Sequence, residues 1–430
     1  MLERFPTLRA LGFADYRRIW LAFLISQTGQ WMQITARAVL VFDITGSASA
    51  LGLIYLASYS PQLLFALVGG VLADRFDRRH LVIVSATGQA ALAVLLGVLA
   101  ATGTATLTNL MVISFVVGVL QATMGPAQMA LLPSLVPKEE LHSAVSLQST
   151  AVSVTRILGP LAAGAIIPIW GVDIAFYVNA ITFLGPIQAW YRTEITHASD
   201  EATRQPVRAA IDGIRYVRRT STLAVPLVMM AFISAVGLVY QPLGVVYATD
   251  VLAGGAKDLG SSYYGIIQAA IGLGSIVGVL SLAGLGRRRP AGVAFGTALA
   301  FGCALAALGA SGHVVFAVAI SFMIGVTHFA NATLLQTLVQ HASSDAMRGR
   351  VMAIFLLAFV GLFPFTSLVF GWLADLTSVR ATFGIAGAAI VIFSLALLRW
   401  REHFRIDGDS QEEPVAEMPA TAPAASPATP

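Results

Sequence analysis

The chain has 430 residues, of which 57% are hydrophobic and only 11% charged, with a mean hydropathy of +0.78. A water-soluble domain usually carries about 25% charged residues, so this composition excludes an ordinary aqueous surface and makes the lipid bilayer the solvent. The net charge of +4 comes from short basic clusters between apolar segments, which excludes nucleic acid as a partner.

A spanning helix takes about 17–25 apolar residues. On that scale the sequence predicts an all-α polytopic membrane protein with twelve spans. They fall near 18–41, 49–73, 81–101, 108–131, 143–168, 173–191, 223–248, 261–284, 291–311, 314–338, 350–374 and 379–400. Breakers separate them: TGS after the first, ATGT after the third, PSLVPKEE after the fourth, RRRP after the eighth. The first segment is long, follows charged residues and lacks a small-residue cleavage site, so it reads as a membrane helix. With the N-terminus inside, 22 of 26 basic residues fall on the cytoplasmic side. Lys257 and Arg380 fall outside, and Arg37 and Arg156 fall within helices. An odd number of spans would scramble this asymmetry, so both termini are expected in the cytoplasm. Two lysines against 24 arginines point to a GC-rich bacterial genome, and hence to a bacterial inner membrane. The lone Cys303 excludes an internal disulfide and a thiolate metal cluster. No metal or cofactor is expected.

A polar stretch near 192–221 divides the chain. The predicted organisation is a six-helix bundle over 1–191, a central cytoplasmic loop over 192–221, a second bundle over 222–404 and a disordered tail over 405–430. The loop is expected to hold one surface helix near VRAAIDGIRYVRR, and the tail is acidic and rich in Pro and Ala. The halves echo each other at an offset of 207 residues, which pairs Gly118 with Gly325, Gly164 with Gly371 and Asp43 with Asp250. Two parallel six-helix halves place a binding cavity at their interface, and such a unit is self-sufficient as a monomer.

Polar residues inside the apolar spans mark that cavity. Arg156 sits near the middle of the fifth span, where an arginine costs at least about 2.5 kcal/mol. It either attracts an anionic substrate or counter-ion, or makes a structural pair. Arg37 lies toward the outer end of the first span, where it either snorkels, pairs with Asp43 or contacts substrate. Gln27, Gln30 and Gln33 recur at helical spacing and share one face, lining either a cavity or a hydrogen-bonded helix contact. Gln121 and Gln128 in the fourth span and Asn331 and Gln336 in the tenth repeat the idea more weakly, and Trp31, Met32 and Tyr240 add aromatic and soft surface. No Asp or Glu lies at mid-membrane depth, so Asp43, Asp250 and His328 are the candidate proton carriers. A lone histidine is more often a packing residue.

The loop GGVLADRFDRRH, residues 69–80, holds five charges between Asp74 and Arg79. Asp74 follows an apolar helix end, where a carboxylate faces the positive end of a neighbouring helix, and Arg78 is within pairing reach. The plainer alternative is that the arginines only anchor the loop.

These residues resemble the major facilitator superfamily, whose signature after the second helix reads Gly-x-Leu-Ala-Asp-Arg-x-Gly-Arg-Arg. Gly70, Leu72, Ala73, Asp74, Arg75, Arg78 and Arg79 match it, and Asp77 replaces the second Gly. ADYRRIWLAFLISQTGQWMQ, GPAQMALLPSLVPKEELHSAVSL, RILGPLAAG and MRGRVMAIF resemble its enterobactin-exporter-like and macrolide-efflux-like secretion effectors, over residues 10–404. The resemblance implies alternating-access export of a small amphipathic siderophore, drug or metabolite, coupled to protons. It also implies a gating contact from Asp74 to the start of helix eleven, near Gly349 and Arg350. Gly159, Pro160 and Gly164 form a partial antiporter signature that permits a bend in helix five, though Thr155 replaces its upstream glycine. An uptake or lipid permease of the same fold is the alternative. A non-transporting scaffold or receptor has no use for a costly intramembrane charge. Phosphate-loop, HExxH and GxSxG patterns are absent, so no enzyme is expected.

Overall fold

The computed structural model describes the backbone of residues 6–75, 77–193, 206–285 and 290–404, and the side chains of 8–65, 77–193, 212–281 and 290–404. The described residues are helical, with no strand among them. The first half contains α1 (Ala14–Thr45), α2 (Ala48–Arg75), α3 (Arg78–Ala101), α4 (Leu107–Leu131) and α5 (Leu141–Trp170), then a sixth rod made of α6 (Val172–Thr182) and α7 (Leu184–Arg192). A short surface helix, α8 (Pro206–Arg219), links the halves where the sequence predicts one. The seventh rod joins α9 (Ser221–Gly237), α10 (Tyr240–Val246) and a π-helical turn, Tyr247–Leu252. Next come α11 (Lys257–Leu285), α12 (Pro290–Ala310) and α13 (Val314–His341). The eleventh rod is α14 (Asp345–Val360) with α15 (Phe363–Leu376), and α16 (Val379–Leu397) is the twelfth. The twelve spans expected from hydropathy are these twelve rods. Among the described residues ten of these rods are long and apolar enough by composition to cross a membrane, and α1 and α2 complete the set of twelve.

Local chemistry sets the ends. Gly46 takes a left-handed φ of 60° to stop α1, and a reciprocal Thr106–Asn109 capping box starts α4. The sixth rod breaks ahead of Pro186 and the eleventh at Gly361, ahead of Pro364, because proline has no amide to continue the ladder. The eleventh rod begins at Asp345, five residues before the predicted start, so Arg350 lies in its second turn.

Large apolar side chains such as Ile169, Ile181, Phe316 and Ile392 point outward, as a lipid-facing surface requires. Inside each half the same partners recur. α2 packs on α4 as α11 packs on α13, α3 on α6 as α12 on α16, and α1 on α5 as α9 on α14. The weak sequence echo is thus expressed as repeated helix pairing. The seam between the halves is carried by α2 against α15 and by α5 against α11.

Candidate functional site: a cavity beneath a sealed seam

The bundle has a near face, where α1 begins and the described chain ends, and an opposite far face. A cavity of about 320 Å³ occupies the near-face part of the first half. Ser26, Gln27 and Gln30 of α1 line it with Gln121 and Gln128 of α4. Gln62, Gln89 and Gln148 join them from α2, α3 and α5. Phe23, Met124, Met129 and Phe183 supply its apolar walls. Gln62 Nε2 donates to Gln121 Oε1 at 3.1 Å, and Gln89 Nε2 to Met124 Sδ at 3.1 Å. The lining is therefore amide and thioether, with no charged side chain. It pairs with ligand donors and acceptors alike and adapts to apolar shape.

Other expected cavity residues are placed elsewhere. Gln33 is buried and accepts from Asn179 Nδ2 at 2.6 Å, so the third glutamine of that face is a helix-packing contact between α1 and α6. Asn331 is fully buried and donates to Ala294 O at 2.7 Å and Thr297 Oγ1 at 3.0 Å, which turns it toward α12. His328 is fully buried within a cage of Tyr240, Phe301, Phe329 and Phe359 rings, and neither ring nitrogen has a partner. Gln336 is half-buried on α13 and does not line the cavity. Spacing along one helix shows which side chains share a face, but it does not reveal what the opposite helix offers.

The two membrane arginines lie one or more turns beyond the cavity. Arg37 is 7% exposed and donates from Nη1 to Ser114 Oγ at 3.0 Å. It neither snorkels nor pairs with Asp43, whose partner is Lys257 of the second half at 3.5 Å. The Arg156 guanidinium lies over Trp31 at 5.3 Å and Phe329 at 4.8 Å, and its Nε is buried without a partner. Trp31 is on α1 and Phe329 on α13, so Arg156 spans the seam between the halves. No described Asp or Glu is within 4.0 Å of either arginine.

The far face is sealed. Asp375, at the end of α15, accepts from the backbone amides of Ala48 at 2.7 Å and Ser49 at 2.9 Å, and from Ser47 Oγ at 2.8 Å. It caps the start of α2 across the seam. A Cβ at Gly52 would lie 2.6 Å from Leu368 Cα, and one at Gly265 would lie 2.6 Å from Pro160 O, so both seam contacts need glycine for backbone to meet backbone. Gly164 belongs to the second contact, where a Cβ on it would lie 3.1 Å from Gly265 Cα, whereas Gly159 packs on Trp31 of α1. Pro160 lies inside α5, and the glycines beside it serve close packing. The sequence offers a signal for Asp375. Gly70-Val-Leu-Ala-Asp74 recurs as Gly371-Trp-Leu-Ala-Asp375, the same pattern at the ends of the two antiparallel rods that meet at the seam.

At the near face, Asp77 caps α3 by accepting from the Arg79 amide at 2.8 Å, and its Oδ2 meets His80 Nδ1 at 2.9 Å. Burial works against the Asp77 carboxylate, but the His80 side chain and the two backbone amides outweigh it and hold its pKa below the usual range. Arg79 donates to the carbonyls of Trp190, at 2.7 Å, and Tyr191, tying α3 to the end of α7 as an anchor. Arg78 starts α3 beside it. Arg350 pairs with Asp212 of α8 at 3.9 Å. The side chains of Gly70, Asp74 and Arg75, and the expected contact of Asp74 with the eleventh rod, lie outside the described residues.

Comparison with known proteins agrees with this architecture. The family model described as transmembrane secretion effector matches residues 7–424. The staphyloferrin A transporter of Staphylococcus aureus is 24% identical over 372 residues, covering 85% of this chain and 91% of that protein. The multidrug efflux pump Tap of Mycobacterium tuberculosis is 25% identical over 394 residues, covering 89% and 92%. Among solved structures, a bacterial homologue of the human lysosomal transporter Spinster matches with a TM-score of 0.71 at 16% identity, over 91% of this chain and 98% of that one. The POT peptide transporter matches with a TM-score of 0.71 at 15% identity, over 90% and 95%. At these identities the solved structures show the shared fold alone. A twelve-rod bundle in two repeated halves, matched almost end to end by the family model, makes the chain a member of the transmembrane secretion effector family of the major facilitator superfamily.

Proposed function

We propose that this protein is a secondary active exporter that moves a small amphipathic molecule out of a bacterial cell by alternating access. The near face is then cytoplasmic, as the distribution of basic residues favours. The observation that carries the reading is the amide-lined cavity of about 320 Å³ beneath a far face sealed at Gly52, Gly265 and Asp375. A ligand entering from the near side meets a closed seam, and rocking of one half against the other transfers it. Two of the relatives support export of chemically varied cargo, being named for multidrug and macrolide efflux. Protons are the proposed coupling ion, a monomer the proposed working unit, and the bacterial inner membrane the proposed location. The described acids of the spanning rods cluster at rod ends, so proton transfer is assigned to the gates.

The test is accumulation of antibiotics, dyes and catecholate siderophores in efflux-deficient bacteria, with and without a protonophore. Lower accumulation in expressing cells, abolished by the protonophore and by Asp74→Asn at equal membrane abundance, is expected. Higher accumulation in expressing cells would reverse the direction.

A further inference from the structure

Arg37 and Arg156 are two cations in the membrane interior, and no described carboxylate balances either one. Among the described residues Arg37 donates to the Ser114 hydroxyl, and Arg156 lies against the Trp31 and Phe329 rings. Tyr55 and Tyr59 stack with ring centroids 6.0 Å apart, and the Tyr55 hydroxyl is buried. The Arg156 Nε is unpartnered, and the flat guanidinium is held between the Trp31 and Phe329 rings. Both rings lie within cation–π distance of the guanidinium, which leaves its Nε without a hydrogen-bond partner among the described residues. A purely structural arginine in hydrocarbon is expected to have carbonyls or a carboxylate on its N–H groups, as Arg79 and Arg380 have on theirs.

The position is as informative as the charge. Val152 and Gln30 line the cavity, and Arg156 and Trp31 lie about one helical turn and one residue beyond them on the same two helices. A molecule seated among the glutamines would present its leading end to this guanidinium. We propose that this leading end is a carboxylate, received by Arg156. The cargo class is then an amphipathic carboxylic acid, whose uncharged body is held by the amide-lined cavity. A planar carboxylate matches the guanidinium fork, and its charge is neutralised at the seam the halves must open. This deepens the export reading and rests on it.

The test uses the full-length protein in detergent and three probes, each paired with its neutral amide: salicylate with salicylamide, 1-naphthoate with 1-naphthamide, and 2,3-dihydroxybenzoate with 2,3-dihydroxybenzamide. Thermal unfolding and tryptophan fluorescence report binding. At least one carboxylate is expected to stabilise the wild-type chain and to bind about tenfold more tightly than its amide. That preference is expected to vanish in Arg156→Gln, whose own unfolding temperature is no lower than that of the wild type, because a membrane charge with no described carboxylate partner has been removed. Equal binding of acids and amides, no binding of any acid, or an acid preference that survives Arg156→Gln would overturn the proposal. The export reading fails separately. A chain that binds the acid but lowers accumulation of nothing loses the transport assignment, whereas one that exports only neutral or cationic compounds loses the carboxylate.

Discussion

The Asp375 carboxylate accepts the backbone amide of Ala48 at 2.7 Å, so the last turn of α15 caps the first turn of α2 across the seam between halves. Two more donors, the Ser49 amide and the Ser47 hydroxyl, complete the cap. An anion at a helix N-terminus satisfies free amides and faces the positive end of the helix dipole. Asp375→Ala is expected to weaken far-face closure by about 1–3 kcal/mol, a roughly 5- to 150-fold shift in the gate equilibrium. Maleimide labelling of Ser367→Cys in a Cys303→Ser background measures it, since Ser367 is 1% exposed behind the cap. Faster labelling is expected, and unchanged labelling would mean that the glycine contacts alone hold the seam. Lys257→Met should do much less, about 0–1 kcal/mol, because the Lys257 side chain is 61% exposed in its pair with Asp43.

The second seam contact tests the same closure by steric means. A Cβ at Gly265 meets the α5 backbone, with Pro160 O at 2.6 Å and Gly164 Cα at 2.8 Å. Gly265→Val is therefore expected to wedge α5 from α11, raise labelling of Ser367→Cys and abolish export at normal membrane abundance. Gly12→Ala, with nothing within 4 Å, is the matched control and should leave both unchanged. Export that persists in Gly265→Val would show that the far face need not close this tightly.

Arg79 makes the opposite kind of contact, one that should not change during transport because both partners belong to the first half. Arg79→Ala removes two charge-assisted bonds to the carbonyls of Trp190 and Tyr191 and should lower stability by about 1–3 kcal/mol. Arg79→Lys should recover only part of this, since a single ammonium cannot reproduce the guanidinium fork. Thermal unfolding in detergent measures both variants; full recovery in Arg79→Lys would point to charge alone, and equal loss in the two to the guanidinium fork alone.

His328 offers a test of the proton route. Both ring nitrogens are buried without partners among aromatic rings, which costs about 1–3 kcal/mol relative to a satisfied group. His328→Phe is expected to preserve protonophore-sensitive export and to raise the unfolding temperature. Export that continues but no longer responds to a protonophore would make His328 the proton carrier.

Several of these features are legible in the amino-acid sequence. The glutamines at 27 and 30 line the cavity as their spacing implies, and α8 forms where VRAAIDGIRYVRR predicts a helix. Gln33 and Asn331 are legible as polar groups needing partners but not as packing residues, because their partners lie 146 and 37 residues away. Asp375 is hidden for the opposite reason. Its five-residue motif repeats the Asp74 motif, but the repeat gains meaning only when α2 and α15 are seen to run antiparallel along one seam.

The sequence by itself determined the solvent, the number of rods and the internal repeat, because hydropathy summed over about twenty residues decides whether a segment partitions into lipid, and basic residues already bias its orientation. Only the tertiary structure decided which polar groups face a common space, which arginine stands without a carboxylate and which face of the bundle is closed. Those depend on how two rigid halves meet. Their contacts join residues far apart in the chain and leave no periodic trace in either segment.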